Sequence, residues 1–176
     1  RGDLKLSYFL QMRSYCYMPS TPKVLTTNFY IEHGKLLLNS FYRLTGKELL
    51  AGATASNQTI IDLFKAPFAI VSHGTEPDPI FNFGNQVSLE LFNYEWDNFI
   101  QLPSRKSAEP IERTEREALL QKVSEQGFID NYRGVRISSN GSRFFIEDGI
   151  IWNLIDANGE YHGQAATFQN WLPLPS

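Results

Sequence analysis

The sequence has 176 residues, 42% hydrophobic and 14% aromatic, which excludes extensive disorder and leaves no room for two independently folded enzyme domains. Sixteen Lys and Arg against nineteen Asp and Glu give a net charge of −3, a poor match to a surface that must neutralise nucleic-acid phosphates. The single cysteine, Cys16, excludes an internal disulfide and a zinc-type Cys/His set, and no apolar run approaches the roughly 18–20 residues of a membrane-spanning helix.

The expectation is a cytoplasmic protein, or a plastid one in a photosynthetic eukaryote, that engages neither nucleic acid nor membrane. The chain begins at Arg1 rather than Met, as a fragment or a processed protein would, so a targeting signal would be out of view.

Residues 1–27 lack sustained periodicity and contain Pro19 and Pro22, which reads as an irregular arm. From Asn28 to Leu50, Ile31, Leu37, Leu38, Phe41, Leu44 and Leu49 recur at helical spacing, and Gly46 and Gly52 weaken or end the pattern. Ile60, Ile61, Leu63 and Phe64 predict a shorter helix, stopped at Ala66-Pro67. Residues 28–66 thus form a helical extension, and the main domain is expected over 67–172.

Beyond Pro67 the pattern becomes extended. Phe68 to Val71 and Ile80 to Phe83 predict two strands joined by a Gly/Pro-rich turn. Asn85 is placed to cap a helix bearing Val87, Leu89, Leu91, Phe92, Trp96, Phe99 and Ile100, which Leu102-Pro103 stops. After a polar loop, 111–126 predicts a helix sparse in apolar residues and closed by Gly127. Strands at 128–138, 143–155 and 160–171 follow, joined by Asn140-Gly141 and by Asp156-Ala157-Asn158-Gly159.

Two strands, a group of helices and a three-stranded meander make an α+β chain with the element order of the PAS fold: a five-stranded antiparallel sheet, helices on one face, and the N-terminal helical extension. Four stretches carry a more specific resemblance: His73-Gly-Thr-Glu-Pro-Asp-Pro-Ile-Phe-Asn-Phe-Gly-Asn85, Pro103-Ser-Arg-Lys-Ser-Ala-Glu-Pro110, Gly134-Val-Arg-Ile-Ser-Ser139 and Gly163-Gln-Ala-Ala166. Over about residues 28–172 the chain resembles the MEKHLA family of PAS-like domains. These occur as stand-alone bacterial and algal proteins and at the C-terminus of plant homeodomain leucine-zipper factors. The six-residue string behind the family's name and any zipper heptads are absent, so the resemblance is to the stand-alone branch and the plant proteins' DNA binding does not carry over. The resemblance implies sensing or regulated protein association, with light, oxygen or redox as general inputs and no defined ligand.

Candidate chemistry is sparse. His73, Glu76 and Asp78 share one turn and could hold a divalent metal or act in acid–base catalysis, although hydrogen bonding within a proline-stiffened turn is the favoured account and the local sequence identifies no additional metal ligand. Arg105 and Arg113 could clamp a carboxylate or phosphate; Arg113 and Arg116 read more readily as a solvated helix face paired with Glu109 and Glu112 at i,i+4, whereas Arg105 sits in a loop. Cys16 lies in the arm and 111–126 contains no His. A cysteinyl-flavin adduct and a long-helix His-ligated haem are therefore disfavoured, and the cofactor stays unknown.

On the strand 143–155, Phe144, Ile146, Ile150, Trp152 and Leu154 alternate as one buried face, with Phe145 and Ile151 on the other. That second face is expected to be covered by Leu37, Phe41 and Leu44 or to form a homodimer or partner interface. Small residues at Gly163, Ala165 and Ala166 make room either for a ligand or for Trp152 and Phe92. The leading reading is a non-enzymatic sensory or regulatory domain with a ligand pocket lined by Phe81, Phe83, Phe92, Trp96, Tyr132, Trp152 and Phe168, with Asn85, Arg105 and Gln164 as polar contacts. The alternatives are a filled-core association module and a small metal-dependent hydrolase using the His73–Glu76–Asp78 turn.

Overall fold

The computed structural model describes residues 19–109 and 113–175. Most of the expected arm, including Cys16, lies outside them; the described part contains a 3-10 turn, Lys23–Thr26, that buries Leu25. Helix α1, Asn28–Thr45, follows. Its buried residues Tyr30, His33, Gly34, Leu37, Leu38, Ser40 and Phe41 form one stripe. The helix ends where Gly46 takes φ 71° and returns its N–H to Tyr42 O, earlier than the expected Leu50. Helix α2, Thr59–Phe64, crosses α1 at Gly34, where a Cβ would lie 2.7 Å from the Ile60 backbone nitrogen.

Six strands are present among the described residues: β1 Ala69–His73, β2 Phe81–Gly84, β3 Phe128–Ile137, β4 Arg143–Ile155, β5 Tyr161–Phe168 and β6 Asn170–Pro173. They form an antiparallel sheet in the order β2-β1-β5-β4-β3, with β6 also on β4. The expected strand 160–171 is divided: β5 pairs with β1 and the second half of β4, and β6 continues along the first half of β4.

Between β2 and β3 stand α3 Gln86–Phe92, α4 Trp96–Phe99, a 3-10 turn Ser104–Ser107, and α5 Arg113–Gln126. The single helix expected after Asn85 is two, because Asn93 adopts φ 58° and ends α3. Asn93 Nδ2 also donates to Ser139 Oγ at 2.8 Å. Asn85 caps α3 by accepting from Ser88 N–H, as its position predicts.

The decisive departure lies in the β3–β4 hairpin. Pairing runs Ile129↔Ile151, Tyr132↔Gly149 and Gly134↔Ile146, so each strand carries one extra residue, first in β3 and then in β4. Asn131 at φ 54° and Asp148 at φ 53° mark the two bulges. An inserted residue inverts alternation. Phe144 and Ile146 therefore share the inner face with Ile151, while Ile150, Trp152 and Leu154 turn outward with Phe145. This corrects the expected single face through Trp152 and the outward placement of Ile151.

Helix α1 covers the outer face, with α2 packed against it. Trp152 Nε1–H donates to Ser40 Oγ at 3.0 Å, and its ring meets Phe41 edge-on at a centroid distance of 4.9 Å. Leu37 and Phe41 are buried and Leu44 packs at the margin, so this area is already used within the chain. Helix α5 lies across the inner face.

Candidate functional site

Helix α5 is tied to the sheet by side-chain amides. Gln164 Nε2 donates to Leu120 O at 3.0 Å, to Ser124 Oγ at 3.2 Å and to Asn153 Oδ1 at 3.1 Å; Asn153 Nδ2 donates to Val123 O at 3.1 Å. These bonds satisfy carbonyl and hydroxyl oxygens on α5 and let a helix poor in apolar residues dock on the sheet.

Beside this anchor lies a cavity of about 60 Å³. Its apolar wall includes Val71, Phe81, Phe92, Ile146, Ile151 and Phe168, and its polar wall includes His73, Ser107, Arg116, Tyr132, Arg136 and Gln164. The volume is several-fold below the roughly 300–1,000 Å³ of ordinary small-molecule sites. A flavin or haem does not fit this interior.

Of the residues expected to line a pocket, Phe81, Phe92, Tyr132, Gln164 and Phe168 border the cavity. Phe83, Trp96 and Trp152 do not. Trp96 packs against Tyr30, Phe64 and Phe83 at centroid distances of 5.5, 6.2 and 6.1 Å, at the edge reached by α1 and α2. Asn85 is a fully buried hub, accepting from Ile70 N–H and donating to Phe68 O at 2.6 Å. Arg105 is half-exposed, its Nε donating to both oxygens of Asp78 at 3.1 Å.

Arg116, expected on a solvated face, is instead 8% exposed and donates to Ser104 Oγ at 2.7 Å. Glu109, its neighbour's expected partner, approaches Arg143 at 3.8 Å instead; Glu112 lies outside the described residues. Burial and the adjacent Arg136 bring the Arg116 guanidinium down to about 10, still protonated at neutral pH. Arg136 donates to Val135 O at 2.7 Å and lies 5.3 Å from the Tyr132 ring centroid.

The His73–Glu76–Asp78 turn does not converge. His73 Nδ1 lies 2.9 Å from Gly74 O, Glu76 Oε2 accepts from Ile80 N–H at 3.3 Å, and Asp78 holds Arg105. A different trio, Asp156, Glu160 and His162, brings its ligand atoms within 4.8 Å on an exposed turn. Asp156 already accepts from the Asn158 and Glu160 N–H groups and meets His162 Nε2 at 3.0 Å, which lowers its carboxyl pKa. These bonds explain the trio as turn structure.

A serine–histidine contact also occurs, on the outer face. Ser72 Oγ is 2.9 Å from His33 Nε2 and donates at 2.6 Å to Asn82 Oδ1. With the hydroxyl proton committed to Asn82, His33 Nε2–H is the donor to Ser72, the reverse of general-base activation. Burial holds His33 neutral, its pKa lowered to about 4 with a smaller contribution from His162.

The MEKHLA domain model matches residues 31–173. The chain belongs to the MEKHLA domain family. The match starts inside α1, so the family unit includes most of the helical extension as well as the sheet. Among plant relatives, homeobox-leucine zipper protein ATHB-9 of Arabidopsis thaliana is 25% identical over 162 residues, covering 88% of this chain and 18% of the relative. REVOLUTA, from the same organism, is 24% identical over 162 residues, covering 87% and 18%. The chain therefore spans less than a fifth of these relatives' length.

Solved structures place this MEKHLA domain in the PAS fold. A PAS domain from Colwellia psychrerythraea superposes with a TM-score of 0.56 at 18% identity, covering 64% of this chain and 93% of that one. The light-state dimer of the fungal blue-light photoreceptor Vivid gives 0.54 at 13% identity, covering 88% and 98%. No helix among the described residues is long and apolar enough to cross a membrane.

Proposed function

We propose that this MEKHLA domain is a cytoplasmic sensory or regulatory module, or a plastid one in a photosynthetic source, in which a small ligand in the inner cavity biases protein association. The observation that carries this reading is the cavity itself, a small, partly open space with buried polar groups in an otherwise packed interior. Strand β4 supplies Ile151 to that cavity and, one residue on, Trp152 to the packing of α1. Occupancy can thus act on the outer face through one strand.

Binding is favoured over catalysis because His33 donates to Ser72 and because His73 and Glu76 are bound within their own turn while Asp78 is held by Arg105. The association surface we assign is the part of the outer face beyond α1, where Phe145 pairs in register with Val135 and Leu172, and Leu172 is 41% exposed. It fits a second copy or a regulatory protein, with no nucleic-acid contact assigned. Native mass spectrometry of protein purified from its own host tests the ligand, with a discrete mass above the bare chain expected. The bare mass, with no thermal response to a small-molecule panel, overturns that half. Light scattering of the chain and its Phe145→Asp variant tests association: a dimer reduced to monomer supports it, and two monomers overturn it.

A further inference from the structure

The inner cavity has two poles that its apolar walls leave unmatched. The first is Arg116. Among the described residues no carboxylate comes within ion-pair distance of it, and its bond to Ser104 Oγ at 2.7 Å engages a neutral hydroxyl. A buried guanidinium is served by an anion.

The second pole is His73, 7% exposed. The Gly74 carbonyl 2.9 Å from Nδ1 can only accept, so Nδ1 carries the proton. Burial, the largest effect, and Arg116 keep the ring neutral against opposing influences from the Gly74 carbonyl, Glu76 and Gln164. Nε2 has no partner in hydrogen-bonding geometry, and the Gln164 side chain beside it, whose contact favours the protonated ring, offers it no proton. Nε2 calls for a donor.

Room limits what can supply both. At about 10–15 Å³ for each water-sized group, a 60 Å³ cavity takes a ligand of about four to six non-hydrogen atoms. Val71, Phe81, Phe92, Ile151 and Phe168 surround it with carbon. Water satisfies the histidine but does not neutralise the arginine, and an all-polar ion such as bicarbonate is badly matched to the apolar wall.

Building on the cavity's reading as a ligand site, we propose that it binds a small hydroxycarboxylic acid anion, with the carboxylate on Arg116 and the hydroxyl donating to His73 Nε2. The route in is consistent with that charge. Arg116, Tyr132 and Arg136 also border an open groove between α5 and β3, where Lys122 and Arg133 add positive charge against Glu115 and Asp130.

Titration calorimetry of the full chain with glycolate, acetate and ethylene glycol tests the assignment. Glycolate should bind saturably; acetate, lacking the hydroxyl, should bind about 10-fold more weakly, and ethylene glycol, lacking the charge, about 100-fold more weakly. Arg116→Met, checked for folding by circular dichroism, should lose the preference for acids. The three-ligand series on the unaltered chain stands without that variant. Equal affinity for acetate and glycolate overturns the role of His73 and with it the proposal. Ethylene glycol binding as well as glycolate also overturns it while leaving a ligand site in place. No heat from glycolate at tens of millimolar overturns it as well, and the native mass then decides separately whether another ligand occupies the cavity.

Discussion

The two faces of the sheet differ in how they are filled. On the outer face, Trp152, Phe41, Leu37 and Ser40 interlock so that even the indole N–H has a partner. On the inner face, the neighbouring residues of the same strands border a void and a pair of buried arginines. Adjacent positions of one strand thus meet opposite environments. The dense face is where the chain gains stability, and the loose polar face is where a ligand can be exchanged without dismantling the fold.

The largest expected effect is on the dense side. Trp152→Ala removes a fully buried ring and leaves Ser40 Oγ without its donor, so it should lower the unfolding free energy by about 3–5 kcal/mol. Urea denaturation checks this. A loss below about 1 kcal/mol would show that α1 does not depend on the indole and would break the contrast between the faces.

The His33 network beneath α1 provides a second test. Its folded pKa of about 4 lies below the ordinary 6.5, so the unfolded chain binds the extra proton between these values. Stability from this group is present above pH 6.5 and is lost as pH falls toward 4, by up to about 3 kcal/mol. Unfolding measured across that window should be flatter in His33→Gln. Parallel profiles for the two proteins would place the acid sensitivity elsewhere.

Much of this arrangement is legible in the sequence. The α1 stripe, the Asn85 cap and the order of the strands follow from local spacing and capping chemistry, and the MEKHLA motifs indicate the fold. The bulges at Asn131 and Asp148 do not show in a period-two pattern, because Phe144 to Leu154 reads as one even series until one inserted residue inverts it. Asp148 interrupts that series with a charge, and its φ of 53° shows why it matters. Arg116 was hidden for another reason: a helix rich in charge reads as solvated, and only docking through Gln164 and Asn153 reveals which arginine is buried. The void itself depends on packing between distant elements, so aromatic content predicted Phe92 and Trp96 together although only Phe92 borders it.

The smallest effect is the sharpest test of the contrast. Ala165 pairs in register with Trp152 and Ala166 with Ile151, so two consecutive alanines of β5 sample the two faces. Both sit in a strand, where valine is well tolerated, and both substitutions add the same two methyl groups. Ala165→Val adds volume beneath α1 where the core is full and should cost about 1–3 kcal/mol. Ala166→Val directs that volume toward the cavity and should change stability by less than about 1 kcal/mol while weakening ligand binding. Paired urea curves and titrations measure both quantities. If the two variants lose equal stability, the inner face is as tightly packed as the outer one, and the space attributed to a ligand is not available to it.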